Sequence, residues 1–454
     1  MIARSAPPAL DPGVRRAGAG RLLIGGSPPR LVRLSDAGAA ALDRLLAGRP
    51  EPGDAPLEHR LRERGILHPV AGGTSADVTF VVPVRDGGES LVQLIGQLHG
   101  WGEVIVVDDG SSDDSGGRAA AAGARVLANQ TGMAGPAIAR NVGLAATESE
   151  FVAFVDADCR CERDWARPLA GLLAQEPGLG LAAPRVRGAV ADGAIAAYER
   201  WRSPLDMGVH PGLVGPGRKV AYVPSAALVA RRATLVELGG FDPSLRFGED
   251  VDLVWRAVAA GWSVRYAPEL EVAHLPRTSR RAFARQRFEY GSSAAALGRR
   301  HPGAVAPLRI DRGAGLVCLA ALAAGRRGGL IAAAAYPLRA SLKRRDREAA
   351  PALAALAARG LLHSGRELAR ASARDWLPAT ALACLLSRRA RPYAAAALGV
   401  DAATGFRVNR RLLLPPALLL RGLENGAYAA GLWRGVLRER SLEALAPRWH
   451  RGST

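Results

Sequence analysis

The run Phe151-Val152-Ala153-Phe154-Val155 passes directly into Asp156-Ala157-Asp158, an apolar strand ending in two carboxylates one residue apart. Alternate residues of a strand share a face, so Asp156 and Asp158 leave it pointing the same way. Paired carboxylates at a sheet edge suit a hard divalent cation, and such a cation suits a diphosphate. A solvated Asp-x-Asp turn is the plainer reading of the same residues. The surrounding chain decides between them.

Upstream, Val78–Val84 predicts a buried parallel strand ending at Arg85-Asp86. Val104–Val107 predicts a second, which breaks into Asp108-Asp109-Gly110-Ser111-Ser112. Gly135–Gly143 predicts a helix with Pro136 in its first turn. Apolar strands alternating with helical spans imply a doubly wound α/β sheet, which takes ligands beyond the carboxyl ends of its strands. Asp86, Asp109, Asp156 and Asp158 all fall at such ends. Further on, Gly239-Gly240-Phe241-Asp242 precedes Gly248-Glu249-Asp250-Val251-Asp252. The second segment predicts a helix opening on an acidic pair, with an apolar face of Val251, Val254, Trp255 and Val258. The backbone dipole favours acids there, and a carboxylate so held is rigid enough to act as a general base.

Six segments, VVPVRD, VVDDGS, ARNVGL, VDAD, GGFD and GEDVDL, follow one another between residues 76 and 300. In this order they resemble family 2 glycosyltransferases of the GT-A fold. The resemblance implies an α/β, Rossmann-like nucleotide-sugar domain, a UDP-sugar donor, and Mg²⁺ or Mn²⁺ as cofactor. Carried over by residue, it places Pro83, Arg85, Asp86 and Asp109 on the nucleotide, with Asp109 at the uracil edge. Arg140 helps hold the nucleotide, and Asp156 meets the ribose or a metal-bound water. Asp158 binds the metal directly, and His274 adds a metal or diphosphate contact. Asp250, with Glu249 beside it, deprotonates the acceptor hydroxyl, and one displacement inverts the anomeric centre. Arg285–Gly291 lacks the Gln-x-x-Arg-Trp of many processive members, which favours a discrete acceptor. The first strand ends in Val-Arg-Asp where Thr-Tyr-Asn is more usual, so the usual aromatic platform for the base is not provided there. The Gly- and Pro-rich stretch from Asp206 to Lys219 reads equally as a lid or a plain surface loop.

The formal net charge of +19 is unevenly spread. Residues 1–274 hold 29 basic and 32 acidic side chains; residues 275–454 hold 32 and 10. The basic region is rich in Ala and Leu, with uncharged runs at 313–325 and 376–387, each short of the ~18 residues of a membrane span. Arg-flanked apolar helices of this length imply an anionic membrane surface as partner, or a helical bundle. Nucleic acid is not expected, since no binding motif is present and aromatics make up 5% of the chain. Cysteines 159, 161, 318 and 384 form no metal-ligand framework. Residues 1–20 have no apolar core of a secretory signal, so the expected compartment is the cytoplasm, at the inner face of the cell membrane.

Residues 1–75 read as a separate module. Arg21–Gly26 and Leu31–Leu34 predict short strands, Ser35-Asp36 caps a helix carrying Ala40, Leu42, Leu45 and Leu46, and Leu57–Leu67 predicts a second helix. This winged-helix-like pattern resembles the PqqD-like domains that bind ribosomal peptide precursors; a simple extension of the transferase is the alternative. The expected division is therefore 1–75, a transferase domain at 76–304, and a helical, membrane-associating region at 305–454. That order is similar to the transferases of mycofactocin biosynthesis. It implies UDP-glucose as donor, premycofactocin, a peptide-derived small molecule, as acceptor, and a β-1,4-glucan as product. A transferase for lipid-linked or cell-surface polysaccharide would not need the first 75 residues. A non-catalytic peptide-binding membrane scaffold would not need both Asp158 and Asp250.

Overall fold

The computed structural model describes residues 7–71, 75–130, 135–277, 279–342, 349–406 and 414–450. They form two compact units, one built on His68–Phe283, the other on Leu10–Leu67 with the chain from Ala284 onward.

The first unit is organised by a nine-stranded mixed sheet. Its strands are β1 (Thr79–Val84), β2 (Val104–Asp108), β3 (Arg125–Ala128), β4 (Phe151–Val155), β5 (Cys159–Arg160), β6 (Leu179–Gly188), β7 (Gly212–Leu213), β8 (Ala227–Arg231) and β9 (Ser263–His274). In space they run β5-β9-β6-β8-β4-β1-β2-β3, with β7 paired to β9. The three apolar strands expected from the sequence are β4, β1 and β2, and with β3, which the sequence did not reveal, they form one parallel half. Every residue of β4 is buried, as a strand covered on both faces requires. The β4 ladder on β1 stops at Val81, two residues before Pro83, which has no N–H to give it. The other half departs from a plain doubly wound sheet, because β8 is antiparallel to both β4 and β6. Those strands were not legible: Pro184, Arg185, Arg187, Arg231 and Arg265 interrupt their apolar runs.

Helix α1 (Pro136–Ala145) packs Gly143 against Val81, where no Cβ fits. Its Asn141 clamps the Gly-Gly-Phe-Asp segment, accepting from Phe241 N (2.9 Å) and donating to Phe241 O (2.7 Å). Gly240, at φ +70°, precedes that clamp, and a Cβ there would lie 2.5 Å from Asn141 Oδ1. Helix α2 (Glu249–Ala259) buries Asp252, Leu253, Val254, Trp255 and Ala257, while Val251 and Val258 are only half-buried. The face differs from the expected one because Asp252 is paired. It accepts from Arg256 Nε (2.7 Å), whose other nitrogens reach Leu238 O (2.7 Å) and Gly240 O (2.8 Å).

The stretch from Asp206 to Lys219 is pinned. Arg185 grips Asp206 with two nitrogens (2.9 and 2.7 Å), Tyr266 Oη donates to Gly208 O (2.6 Å), and β7 joins the sheet.

In the second unit, Arg15–Ala17, Leu22–Gly25 and Arg30–Arg33 form an antiparallel sheet. Ser35 caps the helix Asp36–Leu46 by accepting from Gly38 N (3.1 Å), and Ala39, Ala41, Leu42 and Leu45 are buried while Ala40 is exposed. The first strand, Arg-Arg-Ala, has no apolar signal, which is why the sequence does not reveal it. The basic region is helical. The helix Leu414–Glu439 meets the one that begins at Arg280 through Gly431 on Phe288 O, Gly291 on Tyr428 O and Gly435 on Ser292 O, each without room for a Cβ. Among the described residues no helix is long and apolar enough to cross a membrane.

Replacing Asn141 by Ala leaves the Phe241 amide and carbonyl unpaired. We expect a loss of about 1–3 kcal/mol of stability, read as a lower denaturant midpoint at unchanged slope.

Candidate active site

Two sheet registers assemble the site. β5 pairs antiparallel with β9 so that Cys159 faces His274, which sets His274 beside Asp158. β8 pairs with β4 up to Ala227–Val155, and Asp156 N then donates to Ala226 O (3.1 Å). The preceding residue, Ser225, donates its N–H to Asp250 Oδ2 (3.3 Å). One residue of chain thus separates the anchor of Asp156 from the anchor of Asp250. Asp250 Oδ1 also accepts from Val251 N (2.8 Å), so both of its oxygens are oriented.

Asp156, Asp158 and His274 each offer a ligand atom, all within 4.8 Å of one another. His274 Nδ1 donates to Leu275 O (2.9 Å), because a carbonyl can only accept. Nε2 is left facing Asp158 Oδ1 at 3.1 Å. Two carboxylates and an imidazole whose tautomer is set by its neighbour suit Mg²⁺ or Mn²⁺. Arg277 Nη1 stands 3.4 Å from the other oxygen of Asp158, and its own N–H donates to Glu199 Oε2 (3.1 Å). Sequence reasoning missed Arg277; its signal is a cation three residues beyond His274, past the end of β9.

Arg140 is buried at 3% exposure. Nη2 donates to Asp156 Oδ1 (2.7 Å), Nη1 to Glu249 Oε1 (2.8 Å), and the guanidinium lies 5.4 Å from the Phe241 ring centroid. Asp109 lies past β2, accepting from Asn129 Nδ2 (2.6 Å) and from Gly135 N at the start of α1 (2.8 Å). Since β2 and β4 flank β1, Asp109 stands about 10 Å from the Asp156 strand, two interstrand spacings. Asp86 is at φ +55° and accepts from Ser112 N (2.6 Å), Ser112 Oγ (2.9 Å) and Asp113 N (3.3 Å). These bonds hold its carboxyl below the usual range and tie the β1 exit to the Ser111–Asp113 turn. Arg85 is exposed and Pro83 half-buried on the same strand exit. The structure therefore gathers Asp156, Asp158, His274, Arg140, Glu249 and Asp250, with Pro83, Arg85, Asp86 and Asp109 two strands or fewer away.

Cys159 and Cys161 are buried, with Cys159 Sγ on Ala226 O and Cys161 Sγ accepting from Trp165 Nε1 (3.3 Å). Burial pushes both thiols up, Cys161 to about 12, so neither is a ready metal ligand.

Electrostatics divide the acids. Burial would raise Asp158, yet His274 and Arg277 prevail and draw it down to about 2. Burial would lower His274, yet Asp158 prevails and raises it. The triangle therefore favours the imidazolium beside the carboxylate, and a bound metal would compete with that proton. Mn²⁺ titrated near pH 6 in two buffers of different ionisation heat should give different apparent enthalpies, and His274→Asn should erase the difference; equal heats in the parent protein would contradict the geometry. Burial, then the neighbouring Asp250, raise Glu249 to about 7 against the opposing Arg140, and burial likewise raises Asp250. The folded state thus keeps a proton on Glu249 that the unfolded chain releases near pH 4.5. Stability should fall as pH rises from about 4.5 to 7, and Glu249→Gln should flatten that slope in chemical denaturation.

The profile described as Glycosyl transferase family 2 matches residues 79–233. Two relatives from Mycobacterium tuberculosis, strains CDC 1551 / Oshkosh and ATCC 25618 / H37Rv, are both named pre-mycofactocin glycosyltransferase. Each is 39% identical over 455 residues, covering 96% of this chain and 96% of its own. A solved glucosyl-3-phosphoglycerate synthase from Mycobacterium tuberculosis, in complex with Mn²⁺, UDP and glucosyl-3-phosphoglycerate, is 24% identical over 49% of this chain and 79% of its own, at a TM-score of 0.35. With its strand-end carboxylates in place, the chain belongs to glycosyl transferase family 2, and along almost its whole length it is a relative of the pre-mycofactocin glycosyltransferases.

Proposed function

We propose that this enzyme transfers glucose from UDP-glucose to premycofactocin with inversion, and extends it as a β-1,4-glucan. The observation that carries the chemistry is the pairing of the Asp156–Asp158–His274 triangle with Asp250 across the single step Ser225–Ala226. The acceptor and donor rest on the relatives' name and on full-length similarity.

In this reading the uracil lies over the ends of β1 and β2, beside Pro83, Arg85 and Asp86, with Asp109 accepting from the base. Asp158, His274 and Asp156 hold Mg²⁺ or Mn²⁺, which when bound supplies neutralising charge for the diphosphate. Arg277 turns from Asp158 to a phosphate oxygen and supports the departing UDP. Asp250, partly exposed and with its pKa raised by burial, takes the acceptor proton on the opposite face of the sugar. The first 75 residues present the peptide-derived acceptor as a PqqD-like module, ahead of a transferase domain at 76–304 and a helical region at 305–454. We assign contact with an anionic membrane surface, at the cytoplasmic face, to 376–400. That stretch holds exposed Leu382, Leu385 and Leu386 beside Arg388, Arg389 and Arg391, and no acid.

The test is UDP release from a panel of UDP-sugars with Mn²⁺, with and without premycofactocin. UDP-glucose should turn over only with the acceptor present. Asp250→Asn should lose about 10²–10⁴-fold in kcat while still binding UDP. Full turnover by that variant would remove Asp250 as the base, and turnover with another sugar alone would remove glucose as the donor.

A further inference from the structure

The sequence pattern puts Arg140 on the nucleotide, yet its surroundings fit a different task. Both terminal nitrogens are directed at carboxylates, Asp156 at 2.7 Å and Glu249 at 2.8 Å. Its outer face is closed by Phe241, which Asn141 clamps through both backbone atoms and which meets Phe154 edge-on at 5.0 Å. At 3% exposure the guanidinium has no open path to a ligand the size of a nucleotide.

Its two partners lie on opposite sides of the chemistry. Asp156 belongs to the cation triangle at the end of β4. Glu249 is the first residue of α2, and the next residue is Asp250. Gly248, the N-cap of that helix, has no side chain with which to fix its entry. The first turn of α2 is oriented instead by Glu249 on Arg140 and by Asp250 on Ser225 N. In a water-poor setting a shared guanidinium transmits a change at one acid to the other, because loosening either hydrogen bond leaves a buried polar group without its partner.

We propose that Arg140 is a positioning residue that couples donor and acceptor sides of the site, transmitting the position of Asp156 to Glu249 and so to the α2 turn that carries Asp250. The inference rests on the reading above, in which Asp156 faces the donor and Asp250 the acceptor. Filling the donor site then tightens the base at the moment a donor is present to react.

The experiment is a calorimetric cycle with UDP and Mn²⁺ on the full chain, comparing the parent, Glu249→Gln, Arg140→Lys and the double variant. Glu249 reaches the nucleotide only through Arg140. Its substitution should therefore weaken UDP binding by about threefold in the parent and leave the Arg140→Lys protein unchanged. In turnover, Arg140→Lys should lose about 100-fold in kcat, with the donor KM within about threefold, as a displaced base requires. An equal effect of Glu249→Gln in both backgrounds would overturn the coupling. So would a tenfold rise in donor KM at constant kcat, which marks direct nucleotide contact. Should Arg140→Lys not fold, the cycle of Asp156→Asn with Glu249→Gln replaces it: non-additive UDP binding supports the coupling and additive binding refutes it. Because the cycle reads binding, its failure is separable from failure of the base assignment, which Asp250→Asn reads in turnover.

Discussion

The antiparallel pairing of β8 with β4 is the contact from which the chemistry of this enzyme descends. A strand-end Asp-x-Asp binds nothing of consequence by itself. Because β8 arrives from the opposite direction, its leading residues Ser225 and Ala226 lie against the exit of β4 and anchor Asp250 and Asp156 in turn. Acids 94 positions apart in the chain become neighbours through one backbone step. A parallel strand in that slot would have presented its trailing end there, and the loop leading to α2 would have left elsewhere.

Gathering four carboxylates would be self-defeating without cations among them. Asp156 and Glu249 are answered by Arg140, and Asp158 by both His274 and Arg277. That allocation sets the division of labour. Asp158, between two cations, stays ionised and suited to a metal, while Glu249 and Asp250, answered by Arg140 alone, are shifted by burial towards holding protons. The site thus runs two acid chemistries, one at a strand exit and one at a helix start.

Strands β1, β2 and β4, α1, the start of α2 and the acids at the strand ends were legible in the sequence. Their signals are local: apolar runs, punctuating glycines, and acids where strands end. What was not legible depends on partners distant in sequence. Asp252 reads as a surface acid until Arg256 is seen to bridge it to the Gly239-Gly240 turn. Asn141 is plain in the Ala-Arg-Asn segment, yet its grip on Phe241, a hundred residues on, has no local trace. Asp86, at the end of β1, also ties two strand exits together through Ser112, a role with no local trace. Strand β6 hid because its arginines point to acids, Arg185 to Asp206 and Arg187 to Glu271, and β9 because Arg265 faces Glu176, so charge within them did not mean water.

The close glycine contacts between the helix Leu414–Glu439 and the one beginning at Arg280 bear on a hazard peculiar to monotonous sequences. Helices whose facing residues are small and apolar can slide past one another by a turn and find almost the same surface waiting. Gly291, Gly431 and Gly435 remove that degeneracy, since only one alignment sets each notch opposite a protruding carbonyl. Three missing methyl groups thus reinforce the alignment that Arg287–Glu424 and Arg299–Glu439 also favour, a lock cut by absence of matter.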